Sequence, residues 1–292
     1  MEDFSPFFAV RTPSPLQLKE HFESLGHRAT VETMQTDLIT RERARVLKVA
    51  PAERTNVMRQ VTAVNSSGDF GTHEFFNVDI EAGQRWLCEH GLFPCGFAER
   101  NRGWRMLEER HTLEYELPPL RMDELQVFSS SDRIRPTLED PLREARLGDD
   151  KADGTEEDVL EGLMSLFKDR DPDVVMTDGG DAFHIPYLYA RAEVNGIPVS
   201  FGRVPGNRGP TSGRRTYFSY GRVLHRDASY NMPGRIHVDR HNSFIHGAGG
   251  LFGLVDMSRI SGIPLQRQVR TSPGTAISAM QVNYALERGF LV

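Results

Sequence analysis

Several stretches of this 292-residue chain carry side chains whose types and spacing could do chemistry. His237, Asp239 and His241 alternate along an expected strand, so all three would share one face. Two imidazoles and a carboxylate make a known metal set, to which His184 and His246 could add; structural histidines on a strand are the plainer alternative. A second stretch, Gly202–Arg215, holds four glycines and four arginines: Arg203, Arg208, Arg214 and Arg215. A basic loop of this kind suits phosphate contact, with affinity that falls as salt rises, unless it is simply a basic hairpin tip. Tyr217, Phe218 and Tyr220 lie beside it, where alternate positions could stack on bases, and Arg222 follows. Asp79-Ile80-Glu81 offers two acids but stands at the start of a helical run, where acids favour the N-terminal dipole. Trp86 and Trp104 read as core or interface residues.

The overall charge of −6 is unevenly distributed. From Ser200 onward there are 12 Arg, no Lys and four acids, a balance of +8 that leaves −14 for residues 1–199. Guanidinium binds phosphates and carboxylates in a bidentate fork, so an arginine-only basic end suggests such contacts or else a solvated surface. Other classes are excluded. No apolar run approaches the roughly 18 residues of a membrane span. The start, Met1-Glu2-Asp3-Phe4, lacks the basic and apolar regions of a signal peptide. Two cysteines, Cys88 and Cys95, make neither a disulfide framework nor a four-cysteine zinc site, so a reducing cytoplasm is the expected location.

The elements that must position these residues follow from pattern. A short helix is expected at Leu16–Leu25, strands at Arg45–Val49 and Gln60–Val64, and a helix over 81–92 closed by Gly91. After Pro118-Pro119, Leu120–Phe128 reads as a strand. Residues 129–155, with their serines, prolines and acidic run, read as a long exposed loop. Thr155 should cap a helix Glu156–Phe167, followed by a buried strand Asp173–Thr177, a glycine turn, and a helix from Phe183 to Glu193. Strands are expected at Ile197–Phe201, Arg215–Leu224 and Arg235–Phe244, then helices at Leu251–Ser261 and Pro273–Arg288. Strands mixed with helices indicate an α/β or α+β fold.

The stretch Asp171–Glu193 combines the strand, the turn Asp178-Gly179-Gly180-Asp181-Ala182-Phe183-His184 and a helix opening Ile185-Pro186-Tyr187-Leu188. In order and spacing it resembles the second exonuclease motif of family B DNA polymerases. Three further stretches are similar to that family in the same order: Glu74–Phe97, Gly234-Arg235-Ile236-His237-Val238-Asp239, and Ser258–Gly262 with Arg270–Thr275. The resemblance covers roughly residues 40–292, and its last stretch is closest to a divergent, mainly archaeal subfamily described as inactivated.

The resemblance implies an N-terminal mixed domain over 1–118, a ribonuclease H-like exonuclease domain with a mixed sheet over 119–250, and a helical connection over 251–292 toward a palm. The family's exonuclease uses four carboxylates to hold two metal ions, Mg2+ or Mn2+. Carried onto this chain, those positions fall on Gln126, Phe128 and His184, with Gly179 replacing the usual Asn and Asp181 matching only the turn aspartate. The third motif, Tyr-x-x-x-Asp, is missing between His241 and Met257. The expectation is therefore a DNA-binding portion of a replication or repair polymerase that needs no cofactor and has lost proofreading. The alternatives are a nuclease with a site rebuilt from His184, His237, Asp239 and His241, or a subunit that docks a separately encoded palm. The sequence ends at Phe290-Leu291-Val292, where the family runs on into the palm, so this stretch alone is not expected to copy DNA.

Overall fold

The computed structural model describes residues 4, 6–52, 57–66, 69, 71–133, 135–204, 209–219 and 222–292. The chain divides into two units, one of residues 1–114, 257–264 and 274–292, the other of residues 115–256 and 265–273. The closing residues 251–292, grouped as one connection from the sequence, are thus divided between the units.

The first unit carries an antiparallel sheet ordered β2-β3-β1-β4, from β1 (Phe8–Arg11), β2 (Arg28–Gln35), β3 (Arg43–Ala50) and β4 (Glu74–Phe76). Helix α1 (Pro15–Ser24) sends Phe22 into the core with Phe8, Val10, Leu47 and Val49. The run Gln60–Val64, expected as a strand, lies instead in helix α2 (Val57–Ser66). Val61 and Val64 are three residues apart and both are buried in that core. A strand would point them to opposite faces, whereas a helix turns both inward. Helix α3 (Ala82–Glu89) begins after Glu81, so Asp79 and Glu81 sit at a helix start. A small hairpin follows, β5 (Ala98–Arg100) with β6 (Trp104–Met106).

The second unit is built on a five-stranded mixed sheet. Its strands are β7 (Met122–Ser129), β8 (Leu142–Leu147), β9 (Asp150–Asp153), β10 (Val174–Thr177) and, after the hairpin β11 (Arg215–Ser219) and β12 (Arg222–Arg226), β13 (Ile236–Asp239). The order is β13-β10-β7-β8-β9, with the first three parallel and the last three an antiparallel meander. This is the arrangement of a ribonuclease H-like sheet. Helices α4 (Glu156–Arg170) and α5 (Ile185–Val194) cover one face, burying Leu160, Leu163, Phe167 and Leu188 against Leu125, Leu147 and Val175. Thr155 starts α4 with a capping box: its Oγ1 accepts from Asp158 N (3.2 Å), and Asp158 Oδ2 accepts from Thr155 N (2.9 Å). The chain closes through α6 (His246–Ser261), α7 (Leu265–Gln268) and α8 (Pro273–Glu287).

Several expectations for this unit are corrected. Residues 142–153 are not loop but the hairpin β8–β9. Leu142, Ala145 and Leu147 are buried among charged neighbours, and Gly148 at φ 61 makes the tight turn, where a Cβ would meet Asp123 Oδ1 at 2.5 Å. Ile197–Phe201 is irregular, although Val199 and Phe201 are buried. The strand expected over 235–244 stops at Asp239, and a 3-10 turn Arg240–Asn242 follows. Arg215–Leu224 is likewise a hairpin rather than one strand.

Candidate functional site

The pleat of β7 sorts its residues onto two faces. Leu125 and Val127 enter the core, while Glu124, Gln126 and Phe128 occupy the other face. Gln126 Nε2 donates to Glu124 Oε1 (2.9 Å). Arg240, just past the end of β13, donates to Glu124 Oε2 (3.0 Å) and to Asp178 Oδ2 (2.8 Å) at the end of β10. The Arg240 bond, helped by Gln126, holds Glu124 below the usual carboxylate range. Phe128 faces the Arg146 guanidinium, 5.2 Å from its ring centre. Asp123 lies on the opposite face from Glu124, gripped by the Arg170 fork at 2.6 and 2.9 Å. The two adjacent acids therefore never converge.

His184 closes a π-helical turn, Gly180–His184, that leads into α5. Burial pushes it below the ordinary histidine value, against the opposing pull of Asp239 and Asp178. Its Nδ1 is buried with no hydrogen-bond partner among the described residues.

His237 and Asp239 serve the fold. His237 pairs with Val175, which pairs with Asp123, so it shares the face opposite Gln126. It is wholly buried: Nδ1 donates to Tyr230 O (2.7 Å), which leaves Nε2 to accept from Thr177 Oγ1 (2.9 Å). Asp239 accepts from three backbone amides, Gly179 (2.9 Å), Asp181 (2.8 Å) and His241 (3.0 Å), and so fixes the glycine turn. Gly180 must be glycine, because a Cβ there would collide with Thr177 and sit 2.9 Å from His237 Nε2. Asp181 is buried and gripped by Arg270 at 2.9 and 3.0 Å, with Tyr230 N and Asn242 Nδ2 each at 2.8 Å.

These residues do not fit a pair of metal ions. Gln126 and Phe128 bring no charge to the face where carboxylates were expected, and the permanent cation Arg240 already bridges Glu124 and Asp178. The alternative set of His184, His237, Asp239 and His241 is also corrected. His241 is off the strand, both ring nitrogens of His237 are engaged, and Asp239 is occupied by amides. Among the described residues no group of three or more His, Cys, Asp or Glu could hold a metal ion.

The arginines expected to meet DNA have separate fates. Arg203 is engaged internally, donating to Asp171 Oδ1 (2.7 Å), Asp173 Oδ1 (2.6 Å) and the carbonyls of Asp171 and Gly234. Arg214 and Arg215 are exposed beside β11, with Arg214 3.4 Å from Asp227. Arg208 and the side chains of Tyr217 and Arg222 lie outside the described residues. Farther along, Arg259 is buried on Glu108 and Arg270 on Asp181, so much of the arginine-rich end is structural. Sequence reasoning missed Arg240; its only signal was a cation directly after the His-x-Asp strand end.

Residues 153–245 match the family model for the DNA polymerase family B exonuclease domain. A DNA polymerase of Pyrococcus glycovorans is 27% identical over 131 residues, which is 44% of this chain and 16% of that protein. DNA polymerase 1 of Pyrococcus abyssi is 33% identical over 85 residues, 29% of this chain and 10% of its own length. The chain thus matches only a small part of these relatives. The solved family B DNA polymerase from the hyperthermophilic archaeon Pyrobaculum calidifontis shares the fold at a TM-score of 0.72, with 20% identity over 99% of this chain and 46% of that one. No helix among the described residues is long and apolar enough to cross a membrane. In its exonuclease-domain match over residues 153–245, in the stretches it shares with these polymerases and in its fold, the chain is similar to family B DNA polymerases.

Proposed function

We propose that this chain is the DNA-holding N-terminal and exonuclease-like portion of a family B DNA polymerase, acting in cytoplasmic DNA replication or repair without proofreading. The observation that carries the reading is Arg240 seated between Glu124 and Asp178 on a ribonuclease H-like sheet. Two-metal hydrolysis needs a concentrated negative cradle, and an arginine fork there offsets half of the charge of the two acids it bridges and occupies their oxygens. Nucleotidyl transfer would belong to a palm outside residues 1–292, on the same polypeptide or a separate one. DNA would be held partly by phosphates meeting Arg214 and Arg215 on the approach to the β11–β12 hairpin.

The direct test incubates the chain with 3′-labelled single-stranded DNA and Mg2+ or Mn2+. The label should stay at full length. Degradation abolished by His184→Ala would overturn the reading and restore a rebuilt nuclease site. Replacing Arg214 and Arg215 by Ala should lower the log–log salt slope of DNA binding by about 0.7 for each phosphate that is no longer neutralised.

A further inference from the structure

In the first unit, strands β2 and β3 run on together as a ribbon past the strand beside them. β3 pairs with β1 only at Leu47, Lys48 and Val49, while its pairing with β2 continues to Arg43 opposite Gln35. The pleat gives this ribbon two faces. On one, Ala44 and Val46 are buried with Phe76 and Leu291. On the other, Arg43 and Arg45 lie opposite the neutral Gln35 and Thr33, beyond the stretch where Leu18 and Phe22 of α1 pack with Leu47 and Val49. Both arginines are exposed.

The turn that joins the strands is braced. Thr36 N donates to Glu42 O (3.0 Å), and Asp37 Oδ1 accepts from the amides of Ile39 (2.8 Å) and Thr40 (2.6 Å). Arg41, left-handed at φ 58, brings the chain back into β3. Leu38 and Ile39 are thereby held at the tip, and Ile39 is 91% exposed. The acids nearby are taken up: Asp37 by those amides, Glu42 by Arg11 (3.3 Å), and Glu32, on the other face, by Lys48 (3.4 Å). Arg41, Arg43 and Arg45 have no acidic partner among the described residues, and Arg43 donates only to the Thr33 carbonyl (3.1 Å).

An aliphatic tip beside guanidinium groups matches two chemistries of DNA, the apolar face of a base pair and the phosphates alongside it. Apolar wedges of this kind enter base steps at the cost of unstacking them, and a duplex end that opens into a single strand already offers an unstacked face. A bilayer fits less well, because two aliphatic side chains bury less than one myristoyl chain, which alone holds a membrane only marginally. We infer that this hairpin engages duplex DNA at its junction with a single strand, Leu38 and Ile39 against the last base pair and Arg41, Arg43 and Arg45 along the phosphates. The inference rests on the reading that DNA is the partner, and it adds a contact in the first unit to the one expected at Arg214 and Arg215.

The test titrates a labelled duplex with a single-stranded overhang, carrying 2-aminopurine in its last base pair, while anisotropy and 2-aminopurine emission are both followed. Emission should change in step with binding. Ile39→Ser, at a side chain with almost no buried surface, should weaken junction binding about tenfold, the low end of what burying one isoleucine gives, and remove the emission change. Arg43→Ala combined with Arg45→Ala should lower the log–log salt slope by about 0.9 for each phosphate no longer neutralised, and Lys at both positions should restore it. Junction binding with unchanged affinity in Ile39→Ser and unchanged slope in the double Ala variant overturns the hairpin while leaving the proposed function standing. Capture by phosphatidylserine vesicles that is lost in Ile39→Ser, with junction affinity unchanged, overturns the assignment to DNA in favour of a lipid surface. No binding of the DNA by the unsubstituted chain overturns both the hairpin and the proposed function.

Discussion

The five-stranded sheet of the second unit and the β5–β6 hairpin of the first set their arginines in different surroundings. In and around the sheet Arg240 answers Glu124 and Asp178, Arg170 answers Asp123, and Arg270 answers Asp181. In the hairpin Arg100 lies 5.6 Å from the ring centre of the exposed Trp104, and Glu99 pairs with Arg105. Removing one partner of a buried pair leaves an uncompensated charge, whereas a guanidinium over an exposed ring contributes only about 0.5–1 kcal/mol. Asp239 accepts the turn's backbone amides and Asp181 is gripped by Arg270, so both acids hold the glycine turn.

The strongest challenge to this contrast removes a buried neutralising partner. Arg270→Met should cost about 3–5 kcal/mol in urea unfolding, because Asp181, with no exposed surface, would lose its partner. A loss under about 1 kcal/mol would mean that Asp181 is not held by Arg270. Gly180→Ala should cost about 1–3 kcal/mol by driving Thr177 and His237 apart; an unaffected melting curve would contradict the close approach.

Acid tests the neutral imidazole. Burial puts His237 below the ordinary value of 6.5, so the unfolded chain takes up its proton first. Stability is then full above about pH 6.5 and falls as pH drops below it, by at most about 1.4 kcal/mol per pH unit for one proton. Denaturation midpoints at pH 7.5 and 5.5 measure this, and the difference should shrink in His237→Gln. Thr155→Ala, which removes the capping box of α4, should cost about 1 kcal/mol. The smallest effect belongs to Asp227→Asn. Its partner Arg214 is 74% exposed, and stability should move by less than about 0.5 kcal/mol. A larger shift would make the basic hairpin structural instead of available for phosphate.

The sequence alone determined what local chemistry enforces. Thr155 with Asp158 three residues later specifies a capped helix, and the apolar strand before Gly179-Gly180 specifies a turn into the next helix. The alternation in β7 determined that Asp123 and Glu124 must diverge. Pattern failed where burial overrode composition. The charged run Leu142–Asp153 became a hairpin because four small or apolar residues between charges, Leu142, Ala145, Leu147 and Ala152, all reach the core, and Gln60–Val64 became helical because Val61 and Val64 must face the same way. The site depended most on tertiary structure. Arginines are indistinguishable in sequence, and only packing chose Arg203 for Asp171, Arg270 for Asp181 and Arg240 for the space between two acids. The same holds for Trp104, read from the sequence as a core or interface residue: a three-residue strand on an exposed hairpin has no core to offer it.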